Sequence, residues 1–437
     1  MQRFFEALLR KSYWIMDRLK GGQILNSLSE VMTLIESGNT GSSISRKNEL
    51  LQNILAHAAS STIFYSGFTN FKSLSDFPVI NKTIIRGSFD QFCSDRYTPS
   101  ERISVVTSGS TGTPFKIYQN KNKKIRNYAD TIYFARLSGF EIGCKLLYLK
   151  IWATQKMRGR LAYWMQNIVP VDVIHLNDRQ IDELINKMES TGSAYGILGY
   201  ASALELMCRY LDRKNHGPVR AKVKSIIAMS EALNEYTKSS LKKYFGVVAV
   251  SRYSNLENGI IAQQLTDGSD RFLINTASYH VEILKMDSDE EAKEDETGRI
   301  VVTDLFNYAM PLIRYDTGDI GAMISDPGVP AIKYFTRVEG RKLDLLYDTK
   351  GALVSSYIMY KNMWQYTEIK QYQLIQEGVK DYRFIINADQ DFSRESQLVE
   401  EFKSYLGDDA GFVVEYVDEI PLLSSGKRRK VVNNYYV

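Results

Sequence analysis

Cysteine, histidine and tryptophan are scarce in this chain of 437 residues, with three, four and four copies. Cys93, Cys144 and Cys208 stand apart with no CxxC pair, so they read as buried, reduced thiols and not as a disulfide frame or zinc site. His57, His175, His216 and His280 lie far from one another, and nothing local supports a metal cluster or a histidine-dependent triad. No apolar run reaches the roughly 20 residues of a membrane-spanning helix, and charges interrupt the N-terminus too early for a signal peptide. The expectation is a cytoplasmic protein. A strong excess of one charge is missing too: +4 at pH 7 permits an anionic small molecule and does not call for nucleic acid.

What is present is ordinary in total and uneven in place. With 44% hydrophobic and 24% charged residues the chain is globular, and its length suggests roughly two or three domains. From Thr107 to Thr113 every residue is a glycine or carries a hydroxyl, Pro114 closes the run and Lys116 follows. Glycines let backbone approach a ligand and hydroxyls add donors, so this loop suits a polyanion; a solvated Ser/Gly linker is the bland alternative.

The N-terminal residues 1–20 form an amphipathic basic helix, whose ordinary fate is docking on its own domain and whose alternative is an anionic membrane surface. Glu36 to Ile44 reads as a loop, and Lys121 to Arg126 as a basic run of the solvated kind that could add field at a phosphate site. Between residues 127 and 251, short apolar runs alternate with helical stretches, the pattern of an α/β core with parallel strands. Short strands and polar turns after Asn258 suggest a smaller β-rich subdomain, and a boundary falls near Gly340-Arg341.

Four later stretches carry candidate chemistry. Tyr253 to Glu257 follows a strand ending at Ser251, where an aromatic could stack on a base and a carboxylate hold Mg2+; alone it also fits plain surface. Tyr315-Asp316-Thr317-Gly318-Asp319 offers an acid for ribose hydroxyls or an Asx-type turn. Glu339 to Asp344 sets Gly340 and Arg341 at the boundary, or forms a surface turn. Pro421 to Arg429 places Lys427 after a glycine near the terminus, free to reach a phosphate; a nucleic-acid tail or a merely solubilising terminus is the alternative.

In this order, these blocks resemble the AMP-forming adenylating enzymes over nearly the whole chain. Phe77 to Lys82, Gly199 to Ser202, Met229 to Glu231 and Asp348 to Gly351 are similar to the phenylacetate–CoA ligase branch, in particular to CapK-like proteins of capsular polysaccharide biosynthesis. The resemblance implies an α/β fold: a large domain, 1–339, of α/β subdomains plus a β-rich one, and a small mobile α/β lid, 340–437. It implies ATP and Mg2+ as cofactors, a small carboxylic acid as substrate, and an amine, hydroxyl or thiol as acceptor. No CoA site can be read.

By the family pattern, Thr107, Ser108, Gly109, Ser110, Thr111 and Gly112 hold the β- and γ-phosphates, with Lys116 nearby. Tyr253 stacks on adenine, Glu257 binds Mg2+, Asp319 takes the ribose, Arg341 sits at the hinge and Lys427 bridges carboxylate and α-phosphate. Tyr200, Ser230 and Glu231 are candidates for the acyl pocket. Ser254, Leu256 and Leu343 depart from the family's usual Gly, Thr or Ser, and acid. An acyl- or aryl-CoA ligase, or a nucleotide-binding protein without ligase activity, remain alternatives. The acid and the oligomeric state are not legible.

Overall fold

Helix α1 (Gln2–Leu19) docks by its acidic side. Glu6 and Asp17 are buried: Glu6 accepts from the Ala194 amide at 2.8 Å, and Asp17 from the Ile24 and Leu25 amides at 3.1 and 3.0 Å. The latter contact caps α2 (Gln23–Glu36). Tyr13 and Trp14 pack on the core beside them, but Phe4, Leu8, Ile15 and Leu19, which share the opposite side at helical spacing, are exposed. The stripe expected to dock is therefore only partly covered, because two carboxylates that satisfy backbone amides hold the other side inward.

The structure, a computed structural model, describes residues 2–37, 40–107, 115–152, 160–173, 176–341, 346–354, 357–366, 368–388, 392–421 and 429–435. Within it α3 (Gly41–Ser61) begins earlier than expected, inside the stretch read as a loop. Thr40 caps it, accepting from the Ser43 amide at 3.3 Å; Ser, Thr and Gly look alike in sequence whether they cap or wander. Next come α4 (Lys82–Gly87) and the hairpin of β1 (Ile103–Thr107) and β2 (Phe115–Gln119).

Helix α5 (Lys121–Leu137) absorbs the basic run, and the expectation of a solvated face fails there. Lys123 and Arg126 are buried. Lys123 Nζ lies 2.6 Å from Asp304, and Arg126 pairs with Glu30 at 2.6 Å while donating to Ser278 Oγ and the Ala277 carbonyl at 2.8 and 2.7 Å. A charge run has no signature for partners that arrive from 96 or more residues away.

The parallel core follows as β3 (Lys145–Lys150), α6 (Arg160–Met165), β4 (Ile168–Asp172), α7 (Asp178–Ser190), β5 (Ala194–Tyr200), α8 (Ala201–Arg213), β6 (Lys222–Met229), α9 (Glu235–Phe245) and β7 (Ala249–Asn255). Leu147, Leu149, Ile197, Ile226, Ala228 and Ala249 form one strand face and bury against α7, α8 and α9. Antiparallel strands continue the sheet: β8 (Gly259–Gln264), β9 (Phe272–Ile274), β10 (Tyr279–Leu284), β11 (Gly298–Asp304), β12 (Tyr315–Ser325) and β13 (Lys333–Arg341). The hydrogen-bonded order is β10-β11-β12-β13-β9-β8-β7-β6-β5-β3-β4, so the β-rich part runs on from β7 without a break in the ladder.

Beyond it lie the pair β14 (Leu346–Tyr347) and β15 (Leu353–Val354), helix α10 (Tyr357–Asn362), and β16 (Ile369–Gln376), β17 (Asp381–Ala388), α11 (Glu395–Leu406), β18 (Gly411–Tyr416) and β19 (Val431–Asn433). Four of these strands make a second sheet, β18-β17-β16-β19, with its own core around Phe384, Leu398 and Phe402. The chain is mixed α/β throughout. Cys93, Cys144 and Cys208 are unpaired and buried.

Candidate active site

The site is built where three distant segments meet at Glu257. Arg314 sits at φ 49°, in the left-handed region that a side chain of its size rarely adopts. It is held there by its partners: Nη2 lies 3.0 Å from Glu282, Nη1 donates to the Phe77 carbonyl at 3.1 Å, and its amide donates to Thr303 Oγ1 at 2.9 Å. The same corner ties down Ile80, whose amide donates to the Arg314 carbonyl at 3.0 Å and whose carbonyl accepts from Asp316 at 2.7 Å. Asn81 then caps α4, accepting from Thr83 and Ile84 at 2.9 and 3.0 Å.

Lys82, the first residue of α4, is thereby aimed at Glu257, with Nζ 2.9 Å from Oε1. Tyr315 donates its hydroxyl to the same oxygen at 2.9 Å. The Glu257 side chain is only 2% exposed, against 34% for Lys82, so the pair joins a dry carboxylate to a cation open to solvent. Phe115, the first residue of β2, lies parallel to the Tyr315 ring with centroids 6.4 Å apart and carries Lys82 near its face.

Tyr253 and Asp319 come together beside this cluster. The Tyr253 hydroxyl donates to Asp319 Oδ2 at 2.7 Å and lies 3.3 Å from Thr317 Oγ1, and its ring stands edge-on to Phe335. Burial pushes both the Tyr253 and Tyr315 hydroxyls well up, and the carboxylates of Asp319 and Glu257 push in the same direction, so both remain protonated donors. β7 extends through Asn255 and not to Ser251, which places Tyr253 within the strand and not on the loop after it; the ladder to β8 supplies the extra pairing. Leu256, at 55% exposure, stands between this strand and Glu257.

Other expected residues fall as follows. Thr107 ends β1 opposite Phe115, whereas Ser108, Gly109, Ser110, Thr111, Gly112 and Lys427 lie outside the described residues. Arg341 closes β13 directly across the ladder from Asp319. Lys116 projects from the other face of β2 than Phe115, and its ammonium donates to Tyr118 at 2.8 Å. Tyr200, Ser230 and Glu231 cluster at the ends of β5 and β6, where Glu231 accepts from the Ser202 amide at 2.9 Å and caps α8. Sequence reasoning gave no role to Lys82 or Tyr315, although both stand inside stretches it singled out. A lysine heading a short helix carries no local mark of its carboxylate 175 positions on.

Among the described residues no three His, Cys, Asp or Glu side chains gather as a metal cage. One buried carboxylate suits Mg2+ held mainly by phosphate oxygens and water, the usual habit of that ion.

Comparison with known proteins bears on the fold. Residues 346–434 match the family model of the CapK C-terminal domain. Protein CapK of Staphylococcus aureus is 21% identical over 377 residues, covering 83% of this chain and 80% of that one. A 2-hydroxyisobutyryl-CoA ligase in the postadenylation state, in complex with 2-HIB-AMP, superposes with a TM-score of 0.69 at 15% identity, covering 90% of each chain. ATP-bound MatB from Rhodopseudomonas palustris superposes at 0.54 and 14% identity, over 75% of this chain and 66% of that one. The chain thus has the fold of the adenylate-forming CoA ligases, and its residues 346–434 match the CapK C-terminal domain.

Proposed function

We propose that this protein is an ATP-dependent, AMP-forming ligase that activates a carboxylic acid as its acyl-adenylate and passes the acyl group to an acceptor. The observation that carries the reading is the convergence of Lys82, Tyr315 and Glu257 beside the Tyr253–Asp319 pair, in a chain with this fold. Joining two anions requires cations and donors fixed in advance, since positioning and electrostatics are most of what a protein contributes to transfer at phosphorus. In this reading Thr107 and the following loop, 108–112, cradle the β- and γ-phosphates. Tyr253 faces adenine, and Asp319 and Arg341 meet the ribose. Mg2+, with Glu257 as its protein oxygen, would neutralise the phosphates. Lys427 bridges carboxylate and α-phosphate, carried by residues 340–437 acting as a lid over residues 1–339.

The acceptor we favour is a sugar amine of a surface polysaccharide, on the likeness to CapK; CoA is the second reading, on the likeness to CoA ligases. Carboxylate-dependent release of pyrophosphate from ATP tests the first step. Lys427→Ala is expected to abolish adenylate formation while ATP still binds, and undiminished turnover would remove Lys427 from its role. Mass spectrometry of products with CoA or an amino sugar separates the acceptors.

A location at an anionic membrane face is part of the same reading, supported by α1. Its acids Glu6 and Asp17 are buried, whereas Phe4, Leu8, Ile15 and Leu19 face outward among exposed Lys11, Arg18 and Lys20. Among the described residues no helix is long and apolar enough to cross a membrane. Sedimentation with phosphatidylglycerol vesicles, but not phosphatidylcholine ones, is expected, and Leu8→Ser with Ile15→Ser should abolish it. Dimerisation without vesicle binding would assign the stripe to a second copy instead.

A further inference from the structure

Arg252 is buried, at 9% exposure, and is unpaired. Its Nε donates to Gln263 Oε1 at 2.9 Å, while Nη2 has no hydrogen-bond partner and no carboxylate lies within ion-pair distance among the described residues. Both amide hydrogens of Gln263 are already committed, to the Phe134 carbonyl at 2.7 Å and Ser138 Oγ at 2.8 Å. The Gln263 amide is fixed by these bonds, and its oxygen in turn holds Arg252 through Nε. Glu231, the acid at the neighbouring end of β6, is engaged in capping α8. Among the described residues, then, a buried cation stands without the counter-charge that such burial ordinarily requires.

The register shows what that cation faces. Arg252 pairs with Met229, and Ile227 with Val250 and Leu198, and Leu198 with Tyr148. Paired residues of neighbouring strands share a face, and this face is the one turned away from α7, α8 and α9. It holds Tyr148, Met229 and Arg252 together, with the Lys150 ammonium 4.9 Å from the Tyr148 ring. Tyr200, a candidate for the acyl pocket, follows Leu198 by two on the same strand and pairs with Met229. A buried guanidinium beside apolar and aromatic side chains suits an acid with a charged far end.

We propose that Arg252 binds a second carboxylate of the substrate, so that the acid activated is a dicarboxylate. Met229, Tyr148 and Tyr200 pack on its carbon chain, and Gln263 is the positioning residue. Burial without a partner pulls the guanidinium down to about 10, which leaves it cationic at neutral pH.

This rests on the adenylation reading, and the experiment separates the two. The full-length protein is assayed for ATP–pyrophosphate exchange with malonate, succinate and glutarate, each against the monocarboxylate of equal length: propionate, butyrate and valerate. A dicarboxylate is expected to give the highest kcat/KM, by at least about tenfold. In Arg252→Met the ratio of dicarboxylate to monocarboxylate kcat/KM is expected to fall about 100-fold, with Arg252→Lys between the two, because a lone carboxylate is then buried. Equal or better exchange with monocarboxylates in the unaltered protein overturns the proposal and leaves the adenylation reading standing. Exchange with no acid at all overturns both. Should Arg252→Met fail to fold, the preference of the unaltered protein decides alone.

Discussion

Two regions of this molecule bury positive charge, and they do it in opposite ways. At the start of α5, Lys123 and Arg126 are fully enclosed, and the chain brings Asp304, Glu30, Ser278 and a backbone carbonyl to meet them. In the middle of β7, Arg252 is also enclosed and receives one neutral amide oxygen. Desolvating a cation is expensive, so a fold that satisfies it is spending charge on architecture, and one that leaves it wanting is holding charge for something else. Lys82 lies between the extremes: paired with Glu257, yet a third exposed and able to turn towards a ligand.

That contrast can be broken by substitution. The largest effect belongs to Asp304→Ala, which strands Lys123 in the core and is expected to lower stability by about 3–5 kcal/mol in denaturant unfolding. A loss below about 1 kcal/mol would mean that the α5 pairs are not structural. Next, Lys82→Met should reduce pyrophosphate exchange about 10- to 100-fold while thermal unfolding moves little, since a hydrogen-bonded charge at a half-open site is lost. A large fall in melting temperature there would move Lys82 into the architectural class. Arg252→Met should raise stability by about 1 kcal/mol, read as a higher melting temperature, because a buried unpaired charge is replaced by a thioether of similar length.

The smallest effect concerns a third way of handling burial. Burial, with Lys333 and Arg314 nearby, pushes His280 down to about 4, so the group stays neutral and needs no counter-ion. Its folded pKa lies below its unfolded value of about 6.5. The unfolded chain therefore binds the extra proton, and this contribution to stability is lost as pH falls from about 6.5 towards 4. In His280→Asn the unfolding free energy should decline less steeply over that window, measured by urea unfolding at several pH values. An unchanged slope would show that His280 titrates normally.

Much of the α/β alternation was legible because apolar runs of strand length and helical length differ in period. β3, α8, β6 and α9 fall within the stretch, 127–251, where the pattern put alternating strands and helices. Glu257, Tyr253 and Asp319 stood out because their blocks occur in a recognisable order, and folding brings the last two into direct contact. Lys123 and Arg126 were misread as a solvated face, and Lys82 and Tyr315 were passed over. In each case the deciding partner lies far off in the chain, and charge has no periodicity that reports distant company.

By itself, then, the sequence determined the kinds of element, their order, and which residue types are available for chemistry, since these follow from local periodicity and turn preference. Only the tertiary structure decided which charges are satisfied. Arg126 and Arg252 are alike as residues, and among the described residues one finds a carboxylate and the other does not, because the sheet and α2 bring acids to the first and none to the second.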